Sequence, residues 1–454
     1  MDVSVVILAA GQGKRMCSDL PKILQPLAGR PLLAHVIDTV KSLQPDRICV
    51  VYGHGGDLVR ETFVDEDLAW VLQAEQLGTG HAVLQALPEV GNDDIVLILC
   101  GDVPLVRAET IEPLIAVAAS DNLAILTTDL DDPAGYGRIV RDIENYVKSI
   151  VEERDANDEQ KSITEINTGL MACRAPLLSQ WLQRISPDNA QGEYYLTDIV
   201  GCAIDDNIAV VPVSTEYSDE VLGINDKKQL ADAERNYQRA VVDGLLQQGV
   251  TIIDPQRVDV RGSLTCGRDV VIDVNTIFEG DVVLGDGVQV GANTIISDST
   301  LGAGTRILPN CILDQATVGQ SCEIGPFSRT RPGVEMADQA KLGNFVEVKK
   351  SRIGRGSKVN HLTYIGDATL GERVNVGAGT ITCNYDGANK HPTVIGDGAF
   401  IGSGVELVAP VTVGEGATIG AGATVSKEAP AGQLTIERTR QKVVKGWERP
   451  VKDK

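Results

Sequence analysis

From Leu284 onward, an aliphatic residue followed by glycine recurs about every six positions. The pairs include Leu284-Gly285, Val290-Gly291, Leu301-Gly302, Val318-Gly319, Ile324-Gly325, Leu342-Gly343, Ile353-Gly354, Ile365-Gly366, Leu370-Gly371 and Val376-Gly377. After a break the beat resumes at Ile395, Ile401, Val413 and Ile419. A six-residue repeat predicts a parallel β-helix in which each flat face takes one hexapeptide. One aliphatic side chain per face points inward and stacks on its equivalent about 4.8 Å away in the next coil. Glycine and small residues turn the corners. With three faces per coil, residues 250–437 make about ten coils. A narrow prism is expected to have no room for rings, which would account for 47 Gly beside only five Phe and 4% aromatic residues. Periodicity leaves the hand of the helix open. The break runs from Cys383 to Pro392 and is polar, carrying Asn384, Tyr385, Asp386, Lys390 and His391.

A chain of 454 residues is too long for one core, and residues 1–226 have another texture. VSVVILAAG, RICVVYGH, DIVLILCGD and LAILTTDL are short apolar runs ending in turn residues, as in parallel strands buried on both faces. Helical stretches such as RPLLAHVIDTVKSL and GTGHAVLQALPEV lie between them. The alternation predicts an α/β domain with a mostly parallel sheet, whose ligands bind beyond the carboxyl ends of the strands. Residues 227–248 place Leu230, Tyr237, Val241 and Leu245 at helical spacing and predict one linking helix. Residues 249–454 form the repeat domain and a C-terminal arm.

The formal net charge of −22 argues against nucleic acid or an anionic membrane as partner. Nine cysteines without a C-x-x-C pair suit reduced thiols rather than disulfides or zinc. MDVSVVILAAGQGKR lacks the cationic start of a leader, and no stretch reaches the ~18 apolar residues of a membrane span. These features predict a cytoplasmic protein that takes small-molecule substrates and does not insert into a membrane.

LAAGQGKRM follows the first strand. Alone it is an ordinary tight turn, and it matches neither G-x-x-x-x-G-K-[ST] nor G-x-G-x-x-G. Lys14, Arg15 and nearby Lys22 turn the reading toward an anion-binding loop. Asp102 in LILCGDVPL stands just past another strand, as a helix cap or as a Mg2+ ligand. Glu152 lies in the charge run EERDANDEQ, which by itself reads as a solvated face. In the repeat zone His361 has Arg331, Lys349 and Tyr364 at nearby repeat positions, and Lys390 sits in the interruption. A β-helix serving only to assemble or scaffold subunits needs none of these.

LAAGQGKRM with Lys22, EQLGTGHA, CGDVPL, GYGRIV, EINTG and LGIND resemble, in order, the sugar-1-phosphate nucleotidyltransferases. With the hexapeptide half behind them, nearly the whole chain resembles a bifunctional bacterial family. Its members join an N-acetylglucosamine-1-phosphate uridyltransferase to a glucosamine-1-phosphate N-acetyltransferase. The resemblance implies a Rossmann-like nucleotidyltransferase domain followed by a left-handed β-helix, assembled as a homotrimer through that β-helix. The product would be UDP-N-acetylglucosamine for the cell envelope. Leu8, Ala9, Ala10, Gly11, Gln73, Gly78 and Thr79 would hold the uridine nucleotide of UTP, and Arg15 and Lys22 its phosphates. Asp102 and Asn225 would bind Mg2+, while Gly137, Glu152 and Asn167 would hold the N-acetyl sugar. Cys100 and Gly101 belong to the same site, with Cys100 where the family usually has Tyr.

In the related acetyltransferases, residues matching Arg331, Lys349, Tyr364, Asn375 and Lys390 bind the amino-sugar phosphate, and the match to His361 is the base. An amine attacks a thioester only when it is unprotonated, and a neutral imidazole can take its proton. The resemblance gives Ala378, Asn384, Tyr385, Ser403, Ala421 and Arg438 to acetyl-CoA. The tail RTRQKVVKGWERPVKDK, with seven Lys and Arg, reads either as a solvated end or as a cationic arm near the phosphates of CoA. The polar interruption is expected to carry Lys390 to a neighbouring subunit's His361.

Overall fold

The computed structural model describes residues 2–449 apart from Gln12, His54, Thr439 and Arg440. Of the C-terminal arm, Thr439, Arg440 and residues 450–454 therefore lie outside the described residues. Contacts divide the chain into two compact units, residues 1–237 and 238–454.

The first unit is built on nine strands: β1 (Val3–Ala9), β2 (Arg47–Tyr52), β3 (Ala69–Leu72), β4 (Ile95–Cys100), β5 (Leu123–Asp129), β6 (Gly137–Arg141), β7 (Val147–Val151), β8 (Glu165–Arg174) and β9 (Val210–Ser214). Their order is β9-β5-β8-β4-β1-β2-β3, with β6 pairing both β8 and β7. All four apolar runs read from the sequence are strands. β1 pairs in parallel with β2 and β4, β2 with β3, and β5 with β9. β8 runs antiparallel between β4 and β5, and β6 runs antiparallel to both β8 and β7. The β8 residues EINTGLMACR are half apolar, so the run gave no sign of a strand buried in mid-sheet.

The β1 side chains show why these strands read as continuous apolar runs. Val5 and Ile7 pack with Leu33, Val36 and Ile37 of helix α1 (Leu32–Ser42). Val6 packs on the other face with Val83 of α2 (Thr79–Ala86) and Trp181 of α3 (Ala175–Leu182). Both faces are dry, so successive residues are all apolar. Helix α4 (Lys227–Gln247) is the predicted amphipathic helix, and the division of the chain falls inside it. Leu230 and Tyr237 join a cluster with Met16, Leu27 and Leu32. Val242 and Leu245 belong instead to the core of the second unit. There the buried Gln238 side chain caps the first coil, accepting from Val260 N–H at 2.7 Å and donating to Val260 O at 2.9 Å.

The second unit is the parallel β-helix that the hexapeptides predict. One ladder runs Ile252, Ile272, Val290, Ile307, Ile324, Leu342, Val359, Val376, Ile401, Ile419, Thr435, ten steps in register. From Ile272 to Val376 each step is 17 or 18 residues, three hexapeptides with an occasional residue removed at a corner. The step from Val376 to Ile401 takes 25, because the polar interruption is looped out between strands Ile381–Cys383 and Thr393–Ile395. Cys383 stays in the ladder opposite Val408, so the loop proper begins at Asn384. Phe278 corrects the expectation that rings are excluded. It is 1% exposed in the core, with Val260 and Ile296 in register on the coils either side.

One corner of the prism is a column of left-handed residues. Asn275, Asn293 and Asn310 occupy it first, then Phe327, Phe345 and Leu362, then Gly379, Gly404 and Gly422, with φ between 49° and 74°. The asparagines tolerate this backbone, and their amides join from coil to coil at 2.9 and 3.3 Å. The two phenyl rings stack at 5.2 Å and are half exposed, as is Leu362. Among the described residues no helix is long and apolar enough to cross a membrane.

Replacing Phe278 by Ala leaves a void in a one-residue-wide core and should destabilise the β-helix by about 3–5 kcal/mol. Denaturant unfolding followed by far-ultraviolet dichroism should show an earlier midpoint for the β-helix, with Phe278→Leu restoring most of it.

Candidate functional site

At the carboxyl ends of β1, β3 and β4 a cleft of about 740 Å3 opens. Gly101 N–H donates to Leu8 O at 2.9 Å and clamps the ends of β1 and β4 together. The loop after β1 and the Asp102 turn after β4 therefore open into one space. Leu8, Ala9, Ala10, Gly11, Arg15, Lys22, Gln73, Gly78, Thr79, Cys100, Asp102 and Asn225, each expected there from the sequence, line it. Gly13 in the loop has φ +60°, and a Cβ there would stand 2.7 Å from Lys22 Cβ. Only glycine lets the loop fold this close to the lysine. Gln73 is 4% exposed and follows β3. Its amide nitrogen meets Gly78 O at 3.0 Å and His81 Nδ1 at 3.1 Å, so its carbonyl oxygen is the end left to face a ligand.

At the cleft floor the Lys22 ammonium bonds both Asp102 Oδ2 and Asn225 Oδ1, the latter at 3.1 Å. A carboxylate oxygen and an amide oxygen thus converge on one cation. Ile224 N–H donates to Asp102 O at 2.9 Å and holds the two segments edge to edge. Gly223 keeps the space beside them open, since a Cβ there would sit 3.6 Å from Asp102 Oδ2. Two hard oxygen donors suit a divalent cation that takes its other ligands from phosphate and water. Bound there, such a cation would neutralise charge on a nucleotide's phosphates. Among the described residues no three His, Cys, Asp or Glu gather into a self-sufficient metal site.

Gly137, Glu152 and Asn167 do not line this cleft; they form a group of their own. Gly137 pairs in register with Asn167, and a Cβ on Gly137 would lie 3.5 Å from both Glu152 carboxylate oxygens. Glu152 is half-buried rather than the solvated member of a charge run. It accepts from Thr197 Oγ1 at 3.0 Å, and burial pushes its carboxyl pKa upward against that bond. Asn167 Oδ1 is buried with no protein partner. An acceptor buried this way is costly unless a ligand donor reaches it. Cys100 lies beside Gly169, and burial first, then Asp102, pushes its thiol up to about 12, so it does not ionise as a nucleophile.

In the β-helix, register converts distance in sequence into adjacency. Strands β10 (Lys341–Lys349) and β11 (Lys358–Gly366) put Asn344 opposite His361. One coil further is Ala378, then Ser403, then Ala421, because Val359, Val376, Ile401 and Ile419 stack in order. His361, Ala378, Ser403 and Ala421 thus form one column beside the left-handed corner. Arg438 reaches its end, with Nη2 3.5 Å from Ala421 O. His361 is exposed, and its Nδ1 is 3.1 Å from Asn344 Oδ1. A carbonyl oxygen only accepts, so Nδ1 carries the proton and the Nε2 lone pair faces outward.

The expected sugar-phosphate residues split into two places. Lys349 lies against Lys390 of the looped segment, and the Arg331 charge bears on Lys349. The hydrogen bond to Lys390, then burial and these like charges, lower the Lys349 pKa. Asn384 donates to Asp367 beneath the loop, and Tyr364 Oη stands over Gly366. These cations occupy the Gly366 end of β11. His361 is five residues back, on the far side of the left-handed corner that Leu362 turns. Asn375 lies beyond that corner again, in register with Lys358 and Phe400. Lys390 therefore folds back onto its own chain's Lys349.

Residues 5–164 match the MobA-like NTP transferase domain, and residues 392–427 match six bacterial transferase hexapeptides. The Bifunctional protein GlmU of Azoarcus sp. (strain BH72) is 56% identical over 452 residues, covering 100% of both chains. That of Ralstonia nicotianae (strain ATCC BAA-1114 / GMI1000) is 56% identical over 452 residues, covering 100% of this chain and 99% of its own. The chain belongs to the GlmU family. A solved nucleotidyl transferase from Methanothermobacter thermautotroptrophicus is similar at 21% identity, with a TM-score of 0.40, over 53% of this chain and 99% of that one. As a GlmU enzyme the protein is bifunctional. It acetylates glucosamine 1-phosphate with acetyl-CoA, and it transfers UMP from UTP to N-acetylglucosamine 1-phosphate to give UDP-N-acetylglucosamine and pyrophosphate. The family uses nucleotide substrates and a divalent metal.

Several residues of this GlmU chain escaped the sequence reading. Gln76 lines the cleft and donates to Ala10 O at 2.7 Å, and Gln191 and Glu193 close the cleft's far side. None has a spacing that announces it. Asn344 does, since it precedes His361 by one coil of 17 residues. Asn344→Ala should cost about tenfold in acetyl transfer by releasing the imidazole tautomer and orientation, with uridylyl transfer unchanged. Steady-state kinetics with acetyl-CoA check this, and Asn344→Asp, which keeps an acceptor, should recover most of the rate.

Proposed function

We propose that uridylyl transfer uses the cleft of the first unit with Mg2+ on Asp102 and Asn225, and that acetyl transfer uses His361 in a cytoplasmic homotrimer. The observation that carries the first part is the convergence of the Asp102 and Asn225 oxygens on a cation at the cleft floor. UTP would lie with its base toward Gln73 and Gly78 and its phosphates toward the glycine loop, Lys14, Arg15 and Lys22. The N-acetyl sugar would fill the space near Gly137, Glu152 and Asn167, where Asn167 Oδ1 lacks a donor. A phosphate oxygen of N-acetylglucosamine 1-phosphate attacks the α-phosphorus, and the bond to pyrophosphate breaks. The nucleophile is already ionised, so no base is required. The protein positions two polyanions and neutralises them.

Acetyl transfer needs a base, and His361 Nε2 is available for it. The amine nitrogen forms the new bond to the thioester carbonyl carbon, His361 takes its proton, and CoA leaves as thiolate. Acetyl-CoA would run along the column Ala378, Ser403, Ala421 and Arg438, with Asn384 and Tyr385 from the loop. The phosphate of the amino sugar suits Arg331, Lys349 and Lys390, whose mutual repulsion a dianion relieves. In the same chain that cluster and His361 stand on opposite sides of the Leu362 corner. This supports a site shared between protomers, with Lys390 of one chain meeting His361 of the next. The exposed ridge of Phe327, Phe345 and Leu362, adjoining His361, is the surface such a contact would cover. Free cysteines throughout the described residues suit the cytoplasm.

Asp102→Ala should abolish UDP-sugar formation and leave acetyl transfer nearly intact. His361→Ala should lower acetyl transfer by roughly 10²–10⁴-fold and leave uridylyl transfer intact. Separate assays on each folded variant decide this, and equal loss of both activities in either would refute the two-site reading.

Subunit mixing tests the shared site. His361→Ala and Lys390→Ala chains, each nearly inactive alone, are unfolded and reassembled together in equal amounts. If the two residues come from adjacent protomers, about one quarter of the sites regain both and acetyl transfer returns. If one chain supplies both, every site keeps a lesion and no activity returns, although mixed trimers form by mass.

A further inference from the structure

Asp102 and Asn225 are 123 residues apart in sequence, yet a polar clasp ties together the segments that carry them. Five residues after Asp102 stands Arg107, and five residues before Asn225 stands Glu220. Arg107 Nη2 bonds Glu220 Oε1, and Thr110 Oγ1 donates to Glu220 Oε2 at 2.8 Å. Glu220 is only 9% exposed. It is a nearly buried carboxylate whose two oxygens are both spoken for. Thr110 belongs to the first turn of the helix Ala108–Ala118, so Glu220 also sits at that helix's positive end. Between clasp and cleft the segments are zipped by Val103, Val106 and Val221, all buried in one cluster, and by the Ile224 N–H to Asp102 O bond. On its outer side Arg107 stacks over the Tyr217 ring at 4.6 Å, just ahead of Glu220.

We propose that Glu220, held by Arg107 and Thr110, is a positioning residue that fixes the separation of the two metal-binding oxygens. The inference rests on the reading of Asp102 and Asn225 as the metal pair. Asn225 stands at the end of a short arm, Val221 to Asn225, and no strand or helix spans that arm. Without the clasp, the arm keeps buried Val221 and the Ile224 N–H to Asp102 O bond but loses its anchor at the Glu220 end, and the Asn225 oxygen samples a wider range of distances from Asp102. A metal with two protein ligands then loses affinity because the ligands must be ordered on binding. Glu220 touches neither substrate nor metal, so chemistry at saturating metal stays intact.

The test uses the full chain and Mn2+, whose free form is counted by electron paramagnetic resonance, in the presence of UDP-N-acetylglucosamine. Glu220→Gln keeps the side-chain shape and removes the charge. Arg107→Met acts from the exposed side of the pair and carries the test if Glu220→Gln does not fold. Each should raise the Mn2+ dissociation constant about three- to tenfold, somewhat less than loss of a group bonded directly to a metal ligand. The double variant should be no worse than either alone, since both remove one clasp. The uridylyl kcat at saturating Mg2+ should stay within about twofold, with the metal concentration for half-maximal rate rising in step. Asn225→Ala is the reference. If it weakens Mn2+ binding while Glu220→Gln and Arg107→Met bind as the wild type does, the clasp has no positioning role. If Asn225→Ala also binds Mn2+ normally, the metal-pair reading falls and the clasp falls with it.

Discussion

The parallel ladder of the β-helix advances by a fixed rise of about 4.8 Å per coil, whatever the chain does between one rung and the next. Almost everything in the second unit follows from that rule. Residues 17 or 18 apart become neighbours, so Asn344 can set the tautomer of His361 and Ala378 can continue its column. An added stretch of sequence cannot enter the ladder without breaking it and must be extruded whole. The extra residues between Val376 and Ile401 leave the wall in this way and return at Thr393, with Lys390 near their end. The core stays regular, and the departure supplies a cation that a flat wall would not offer.

The first unit solves the opposite problem. Its substrates carry many negative charges, and the chain has a net charge of −22. Cationic groups are therefore concentrated rather than abundant. Lys14, Arg15 and Lys22 line one cleft, and Lys22 is held against Asp102 and Asn225. In the β-helix Lys349, Lys390 and Arg331 are pressed close enough for the Lys349 pKa to fall. Crowding like charges is unfavourable until an anion arrives, so the Lys349 cluster stores repulsion that ligand binding releases.

The sequence disclosed whatever is periodic or lies at a strand end. Ten coils, the α/β alternation, the helix from Lys227 and the convergence of Asp102 with the glycine loop could all be read from spacing and residue type. Three things could not. β8 runs antiparallel in mid-sheet because its neighbours permit it, and EINTGLMACR has no pattern that says so. Phe278 fits inside the prism because Val260 and Ile296 flank it, which is a matter of local volume. Glu152 sits in a run of charges, yet the turn after β7 tucks it under Gly137 and beside Thr197. Contacts such as Gln76 with Ala10 depend on where a side chain ends, not on where it starts, and no one-dimensional pattern records that.

The column beside the left-handed corner also behaves as a ruler. From His361 through Ala378 and Ser403 to Ala421 is three coils, about 14 Å at the rise of a parallel ladder, and the Arg438 guanidinium reaches back to Ala421 O. Along this stretch the corner has turned to glycine, and Gly404 and Gly422 have open space where a Cβ would stand. A long, thin molecule can lie on such an edge without a side chain beneath it. On the proposed assignment, the span between the base that takes the amine proton and the arginine at the far end is counted in whole coils. The backbone part of that span changes only by whole turns, and the reach of the two end side chains is all that adjusts it more finely.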